Sequence, residues 1–274
     1  MGKLKYLNVG CGSRYHKDWI NIDMSSNSEN VIETNLLKGI PFPDNYFDVV
    51  YHSQVLEHFP KEKAPVFLEE CCRVLKPNGI IRIVVPDLEN LVDEYKKFLN
   101  VNLEQPSPES EANYDWILLE MYDQTVRNYS GGMMAETLSQ SHMINEKYIS
   151  DRIGFIAKDI KSNNLKDSVK GLETKSFSFL RLLKKKTLKL YKEIIKFQFS
   201  ENSKIGAFRL GGEIHMWMYD RFSLSRLLEK SGFEAIIIQN PRNSIIPDWE
   251  NYELDIRDGI VDSPTSLFVE ARKK

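Results

Sequence analysis

Apolar residues cluster in short runs along the first third of the chain, and their spacing predicts strands around one helix. Residues 4–9 and 19–23 form two short runs, and residues 46–53 form a longer one typical of a buried strand. Residues 61–75 carry apolar positions at helical spacing, and residues 80–86 form another apolar run after the turn residues KPNG. This order of elements predicts a parallel sheet with helices on its faces.

The pattern changes after the last of these runs, and strand-like runs return only near the carboxyl terminus. Residues 104–113 form a polar, proline-containing break, and a long, mainly helical region is predicted to follow it. A helix ending at Gly232, a strand directly after it and a terminal strand over residues 266–272 complete the pattern. We therefore predict a single α/β domain over residues 1–274, in which residues 101–210 form a mainly helical insertion.

The composition indicates a globular protein with little net charge. Hydrophobic residues make up 42% of the 274 residues, which is enough for a substantial core, and a formal charge of −2 gives no reason to expect a nucleic-acid partner. The three cysteines, Cys11, Cys71 and Cys72, form no even set, so we expect no structural disulfide and a cytoplasmic location. No run approaches the roughly 18 apolar residues of a membrane span.

Glycines flank Cys11 where the first predicted strand ends, and Asp23 ends the second. Gly10 and Gly12 allow a sharp turn and let a ligand approach the backbone closely. An acidic residue in the position of Asp23 can accept hydrogen bonds from both hydroxyls of a ribose, although it can also cap a turn. The third glycine of a dinucleotide-binding loop is absent, so these residues alone indicate a cofactor loop or a simple turn.

The chain resembles class I S-adenosylmethionine-dependent methyltransferases in three blocks of sequence. These are the GCG of the first strand, the central run LKGIPFPDNYFDVVYHSQVLEHFPKEKAPVFLEECCRVLKPNGIIRIVVPD and the later run HMWMYDRFSLSRLLEKSGF. The resemblance covers roughly residues 4–100 and 212–274 in the order of the family. It implies a Rossmann-like three-layer α/β sandwich with a mostly parallel seven-stranded sheet and an antiparallel last strand. We further expect the insertion at 101–210 to cap the acceptor site.

S-adenosylmethionine is the cofactor that the resemblance implies, with S-adenosylhomocysteine as the product. Gly10, Cys11 and Gly12 would line its methionine and adenosine parts, Asp23 would bind the ribose hydroxyls, and Met24 would lie beside the adenine. This cofactor contains no pyrophosphate, which accounts for the missing third glycine. Only ten residues separate Gly12 from Asp23, so the helix that normally joins these two strands is expected to be shortened.

Four further residues are assigned to the cofactor by the same resemblance. Asn35 and Leu36 stand where the family contacts the adenine ring, and Ser53 and Gln54 would face the methionine moiety and the transferred methyl. Two positions depart from the family pattern. Asn8 replaces a usual acid before the loop, which would weaken the orientation of the cofactor's amino group, and Asn35 replaces a commoner aspartate.

Two histidines are candidates for the catalytic base that a hydroxyl acceptor requires, since general-base catalysis contributes ~10²–10⁴-fold. His58 follows the fourth strand of the family pattern, where it has either a role in the site or a structural hydrogen bond. His215 precedes a helix beside Trp217 and Tyr219, which suits an acceptor pocket but also a core or helix-capping histidine. Asp220 is expected at the start of that helix. No close His or Cys spacing indicates a metal site.

The insertion is rich in positive charge. Residues 158–196 contain twelve Lys or Arg against four Asp or Glu, and part of this segment has an amphipathic helical pattern. Such a helix either contacts an anionic membrane or polyanionic acceptor at the inner membrane face, or packs on the core with a solvated basic side. The sequence carries no indication of oligomeric state.

The resemblance implies a methyltransferase, and by family analogy and the basic segment we expect it to O-methylate a sugar or glycan, with a lipid-linked glycan included. The alternatives are methylation of another small molecule or natural product, and a binding protein that keeps the fold without catalysis.

Overall fold

The computed structural model describes residues 4–26, 28–155 and 201–274 of the chain. In this part of the chain a seven-stranded sheet forms the centre, in the order β3-β2-β1-β4-β5-β9-β6. The strands are β1 (Tyr6–Val9), β2 (Ile20–Asp23), β3 (Val31–Glu33), β4 (Phe47–Ser53), β5 (Leu75–Pro86), β6 (Phe233–Gln239), a separate ribbon of β7 (Ile256–Arg257) and β8 (Ile260–Val261), and β9 (Ser266–Lys273).

The strands from β3 to β5 are all parallel, whereas β9 runs antiparallel between β5 and β6. Seven α-helices are described: α1 (Ala64–Val74), α2 (Leu88–Glu104), α3 (Pro108–Val126), α4 (Gly132–Leu138), α5 (Glu146–Ile153), α6 (Glu201–Arg209) and α7 (Arg221–Lys230). This topology confirms the predicted Rossmann-like α/β fold with an antiparallel last strand.

One face of the sheet is covered by α1 and α7. Helix α1 begins with Pro65 in its first turn, where a missing N–H costs little, and it buries Phe67 and Leu68 against the sheet. Helix α7 buries Leu224 and Leu228 in the same cluster. Full burial of each such side chain stabilises the folded state by roughly 1.5–3 kcal/mol. The cluster on this face contains more buried residues than the one on the opposite face, so it forms the larger part of the core.

The opposite face is covered by aromatic residues near the carboxyl terminus. Trp249 and Tyr252, on a short 3₁₀ helix, pack with Trp19 and Tyr6, and the Tyr6 and Trp19 rings stack at 4.9 Å. The link from β1 to β2 contains turns and no helix over the described residues 10–19. The predicted shortening is therefore complete in this link, and a later segment occupies the space against the sheet.

Arg82 on β5 connects the sheet to that later segment. Its side chain is fully buried and forms ion pairs with Asp255 at 2.6 Å and with Glu270 on β9 at 2.7 Å. Loss of one partner from a buried pair is strongly destabilising, because the other charge is left without compensation. The network fixes the aromatic segment on the sheet.

Several predicted boundaries need correction. Strand β3 was not predicted, and β5 begins at Leu75 rather than after the KPNG turn. The predicted break at 104–113 is much shorter, because the Ser107 side chain accepts a hydrogen bond from Ser110 N and starts α3 at Pro108. The confirmed elements include β4, α1 and α7, with Asp220 as the N-cap of α7.

The predicted insertion is described only in part. Helices α3, α4 and α5 surround a small cluster of Trp116, Leu138 and Ile149, separate from the two clusters on the sheet. The basic segment 158–196 lies outside the described residues, and the insertion boundaries stay a prediction. Among the described helices, none is long and apolar enough to cross a membrane.

Candidate cofactor and acceptor site

The carboxyl ends of β1 and β2 form a tight loop around two glycines. Gly10 and Gly12 both have positive φ, of 64° and 53°. The Gly10 N–H donates to Ile22 O at 2.8 Å, and the Gly12 N–H donates to the Asp23 carboxylate at 2.8 Å. These bonds hold the loop against the end of β2, with the Asp23 carboxylate directly beside it.

A cavity of about 540 Å³ opens at this edge of the sheet; we call it the main cavity. Its lining is largely apolar and includes Val55, Phe59, Ile214 and Met216, and its volume lies within the range of small-molecule sites. The predicted site residues that line it are Gly10, Asp23, Met24, Leu36, Gln54 and His58.

A second cavity of about 310 Å³, the loop cavity, adjoins the first at Gly10 and Gln54. It is lined by the remaining predicted loop residues, Cys11 and Gly12, and by Ser53. Burial, together with the nearby Asp23, raises the pKa of the Cys11 thiol to about 12, so this cysteine stays protonated and contributes no charge.

Gln54 also borders a third, small space of about 80 Å³, the polar pocket. The Gln54 backbone has a positive φ of 55°, and the Gln54 side-chain amide donates a hydrogen bond to Ser266 Oγ at 3.1 Å. The polar pocket is otherwise lined mainly by hydrogen-bonding side chains, among them Asp87, Glu120, Gln124, Arg152, Thr265 and Ser266. A strained glutamine thus stands where the three spaces meet, a location typical of functional sites.

The two positions that depart from the family pattern differ in where they lie. The Asn35 side chain accepts a hydrogen bond from Leu37 N and caps the 3₁₀ helix Leu36–Lys38, and Asn35 lines neither the main nor the loop cavity. Its contact with adenine stays a prediction. Asn8 lines the loop cavity, and its side-chain amide donates a hydrogen bond to Arg14 O at 2.8 Å, which connects it to the residues after the glycine loop.

The two candidate histidines lie next to each other. Their rings meet edge to face with centroids 4.8 Å apart, although the residues are far apart in sequence. His58 lines the main cavity, and its Nδ1 lies 3.1 Å from Ile214 O, while His215 is buried behind it. Burial lowers the pKa of both rings, that of His215 to about 3, so both are neutral at pH 7. Neutral imidazole is the form that can accept a proton.

The structure adds two carboxyl groups that the sequence analysis did not select. Glu57, within the LEH motif, is fully buried beside His215, and burial raises its pKa to about 8. Asp87 follows β5 and lines the polar pocket; burial raises its pKa as well. The strand-end position of Asp87 was a usable signal, whereas the burial of Glu57 has no sequence signature.

Metal binding was not predicted, and the distances in this cluster do not favour it. Glu57, His58 and His215 offer ligand atoms that all lie within 4.8 Å of one another. Around one zinc ion with bonds of about 2.0–2.2 Å, tetrahedral ligand atoms stand only about 3.4 Å apart.

A comparison with known protein families supports the predicted resemblance to methyltransferases. Residues 7–83 match the sequence profile of a family described as "Methyltransferase domain". Residues 7–83 are therefore similar to a methyltransferase domain. The matched residues run from β1 into β5 and include the glycine loop, Asp23 and the LEH motif.

Curated relatives match the methyltransferase domain over part of their length. An uncharacterized protein of Haemophilus influenzae is 29% identical over 49% of this chain and 53% of its own. Phosphoethanolamine N-methyltransferase of Plasmodium falciparum is 27% identical over 36% of this chain and 41% of its own. A ubiquinone/menaquinone biosynthesis C-methyltransferase of Francisella tularensis subsp. novicida is 36% identical over 35% and 34%. The chain spans about half the length of these relatives or less.

Among solved structures, a SAM-dependent methyltransferase from Archaeoglobus fulgidus aligns with 99% of this chain and 87% of its own. The TM-score is 0.40 and the sequence identity is 14%.

S-adenosylmethionine is the cofactor of such a methyltransferase domain, and the residues at this edge fit it. A Cβ on Gly12 would meet no described atom within 4 Å, so the loop leaves open space on the cavity side. The Asp23 carboxylate stands beside that space, and Met24, 51% exposed, is available to cover a flat ring. The linings are largely apolar, and their charged side chains are Asp23, Lys63 and Arg209 in the main cavity and Arg14 in the loop cavity.

Proposed function

We propose that this chain is an S-adenosylmethionine-dependent methyltransferase whose acceptor is a small polar molecule, with a sugar or glycan hydroxyl as the acceptor class. The observation that carries this proposal is the position of Gln54, which joins the two cavities around the glycine loop to the polar pocket. An acceptor in the polar pocket would meet a cofactor in the larger cavities at this residue. The donors and acceptors of the polar pocket suit a molecule rich in hydroxyl groups.

The residues of the chain divide the work of methyl transfer. S-adenosylmethionine supplies a methyl group on a positively charged sulfur, which is an excellent leaving group. Asp23 accepts hydrogen bonds from the ribose hydroxyls, and the apolar lining excludes water from the reacting atoms. Gln54 orients the groups at the junction. His58, whose Nδ1–H donates to Ile214 O, would accept on Nε2 the proton that the acceptor loses.

The acceptor atom distinguishes the proposed reaction from those of the named relatives. Among the relatives, one is named as an N-methyltransferase and another as a C-methyltransferase. The sugar hydroxyl rests on the resemblance and on the polar pocket alone. A panel of sugar hydroxyls, amines and activated carbon acids, incubated with the purified chain and S-adenosylmethionine, separates these classes by the mass of the methylated product.

Calorimetry tests cofactor binding, and Asp23→Asn is the informative variant. The amide keeps one acceptor for Gly12 N–H but loses the charged acceptor for the ribose hydroxyls. Because hydrogen bonds to charged groups contribute about 1.5–3 kcal/mol, we expect affinity to fall roughly 10- to 100-fold. Glu33→Gln is the matched control: Glu33 stands opposite Asp23 in the sheet register, is exposed and lines neither the main nor the loop cavity.

Absence of S-adenosylmethionine binding to the wild-type chain at high micromolar concentration would refute the proposed function. Binding without turnover on any acceptor class would instead support a non-catalytic cofactor-binding protein. Equal affinity of Asp23→Asn and Glu33→Gln for S-adenosylmethionine would show that Asp23 does not bind the ribose hydroxyls.

A further inference from the structure

Glu57 is an unusual buried group. Its side chain is fully buried, and neither carboxylate oxygen has a hydrogen-bond partner within the described part of the chain. The Glu57 backbone oxygen, in contrast, accepts hydrogen bonds from Met216 N and Trp217 N at 2.7 and 3.2 Å. Buried carboxyl groups are normally paired, so one without a donor requires a physical explanation.

The neighbours of Glu57 connect it to the main cavity. The His215 Nε2 atom lies 4.0 Å from Glu57 Oε1, and the His215 ring contacts the His58 ring. His58 lines the cavity, and its Nδ1–H is committed to Ile214 O. A continuous series of groups therefore leads from a buried carboxyl, through one imidazole, to the imidazole that faces the cavity.

A buried carboxyl of this kind must be neutralised by a metal ion or by a proton. The ligand atoms are spread over as much as 4.8 Å, so a metal would require the side chains to move together. A proton requires no rearrangement. The two alternatives are distinguishable by experiment, and the observed distances favour the proton.

We propose that Glu57 is a positioning residue for methyl transfer, which acts through His215 and His58 and must be ionised before His58 can accept the acceptor's proton. This inference rests on the proposed function. When Glu57 carries a proton, a protonated His58 leaves a net positive charge in a buried cluster. When Glu57 is ionised, the same proton on His58 gives a cluster with no net charge, which is far less costly to bury.

The atoms balance in one displacement. As the acceptor atom bonds to the methyl carbon, the methyl–sulfur bond breaks and its electron pair leaves with the sulfur. The acceptor's proton moves to His58 Nε2 and is later released through the main cavity. The cluster itself is regenerated without oxidant or reductant.

The other charged groups that face the cluster nearly cancel. Arg127, at the end of α3, lowers the proton affinity of both histidines, and Glu213 raises that of His58. Arg127 and Glu213 form an ion pair at 3.0 Å, so together they add little net charge. The buried Tyr219 hydroxyl stays protonated, because burial raises its pKa above the physiological range. Glu57, whose pKa is about 8, is the group of the cluster that ionises near physiological pH.

The pH dependence of kcat tests this role. We expect kcat of the wild-type enzyme to rise with pH through about 8, as Glu57 ionises. Glu57→Gln keeps the shape of the side chain but cannot ionise, so its kcat should be flat over this range. At high pH it should be about 100-fold below wild type, the lower end of what general-base catalysis contributes. The affinity for S-adenosylmethionine should be unchanged, because Glu57 does not line the main cavity.

Glu213→Gln is the matched control, since it removes another carboxylate near His58 and should retain the rise in kcat. A Glu57→Gln profile that rises like wild type would overturn the proposal. Stoichiometric metal in the purified wild-type chain, lost in Glu57→Gln, would overturn it in favour of a metal site.

A measurement without an acceptor separates this inference from the proposed function. In NMR titrations of the protein with labelled histidines, the ring signals of His58 and His215 should show an inflection near pH 8 that is missing in Glu57→Gln. If methyl transfer fails on every acceptor but the inflection is present, the proposed function fails while the ionising cluster stands. If the inflection is absent from wild type, the cluster assignment fails.

Discussion

The two glycines of the cofactor loop differ in how much space surrounds them. A Cβ on Gly10 would stand 2.5 Å from Val55 Cγ2, whereas one on Gly12 would meet no described atom within 4 Å. We therefore expect Gly10→Ala to lower the free energy of unfolding by several kcal/mol, because overpacking adds to the strain of a positive φ. Gly12→Ala should lower the free energy of unfolding by only about 1–2 kcal/mol, the strain of a positive φ. It should also lower cofactor affinity, because the added methyl group would enter the open space.

Thermal denaturation and calorimetry measure the two effects separately. Gly206→Ala, in helix α6 with no close described neighbour, is the control that reports the ordinary effect of adding a methyl group. Equal stability of Gly10→Ala and Gly12→Ala would mean that Val55 moves aside freely. Unchanged affinity of Gly12→Ala would place the cofactor away from the loop.

At the residue scale, strand ends made much of the site predictable. Asp23 ends β2 and Gln54 follows β4, and the carboxyl ends of parallel strands meet at one edge, so sequence order alone places them together. Glu57 could not be selected this way, because its chemistry depends on burial by distant residues. The contact between His58 and His215 likewise depends on how the segment before α7 returns to the sheet.

At the element scale, long periodic segments were predictable and short ones were not. The helix α1 and the strand β4 have enough residues to show a period, whereas β3 has three, of which only Val31 is buried. The early start of α3 was missed because polar residues at 104–113 suggested a loop. In the structure the residues from Ser107 onward are the cap and first turns of a helix.

The cap of α3 gives a prediction at this scale. The Ser107 side chain accepts a hydrogen bond from Ser110 N, and the Ser110 hydroxyl in turn accepts from Ser107 N at 2.9 Å. Ser107→Ala should therefore lower the free energy of unfolding by about 1 kcal/mol, measured by denaturant titration. Ser107→Asp, which restores an acceptor at the N-cap, should recover most of the loss. No effect of either change would indicate that the boundary between α2 and α3 carries little stability.

On the scale of the whole molecule, the fold class was predictable and the covering of the second face was not. The ten-residue link between Gly12 and Asp23 shows in the sequence that a helix is shortened. It does not show what replaces the helix. The replacement is an aromatic segment held by the ion pairs of Arg82 with Asp255 and Glu270, a contact across more than 170 residues of sequence.

Buried titratable groups predict how the stability of the whole molecule depends on pH. Burial lowers the pKa of His52 and His215 to about 3, so the folded state binds fewer protons than the unfolded state between pH 6.5 and 3, and stability falls with decreasing pH. Burial raises the pKa of Glu57 from 4.5 to about 8, so its contribution is complete below pH 4.5 and is lost as pH rises through 8.

These opposite trends place maximum stability near pH 6.5. Above pH 6.5 the ionisation of Glu57 dominates the trend. Each additional proton bound by the folded state relative to the unfolded state lowers the free energy of unfolding by about 1.4 kcal/mol per pH unit. We expect Glu57→Gln to flatten the decline between pH 6.5 and 8, and His52→Leu to reduce the acid-side slope by about one proton; denaturant titrations at several pH values measure both. A wild-type stability that rises from pH 6.5 to 8 would contradict a protonated Glu57 in the folded state.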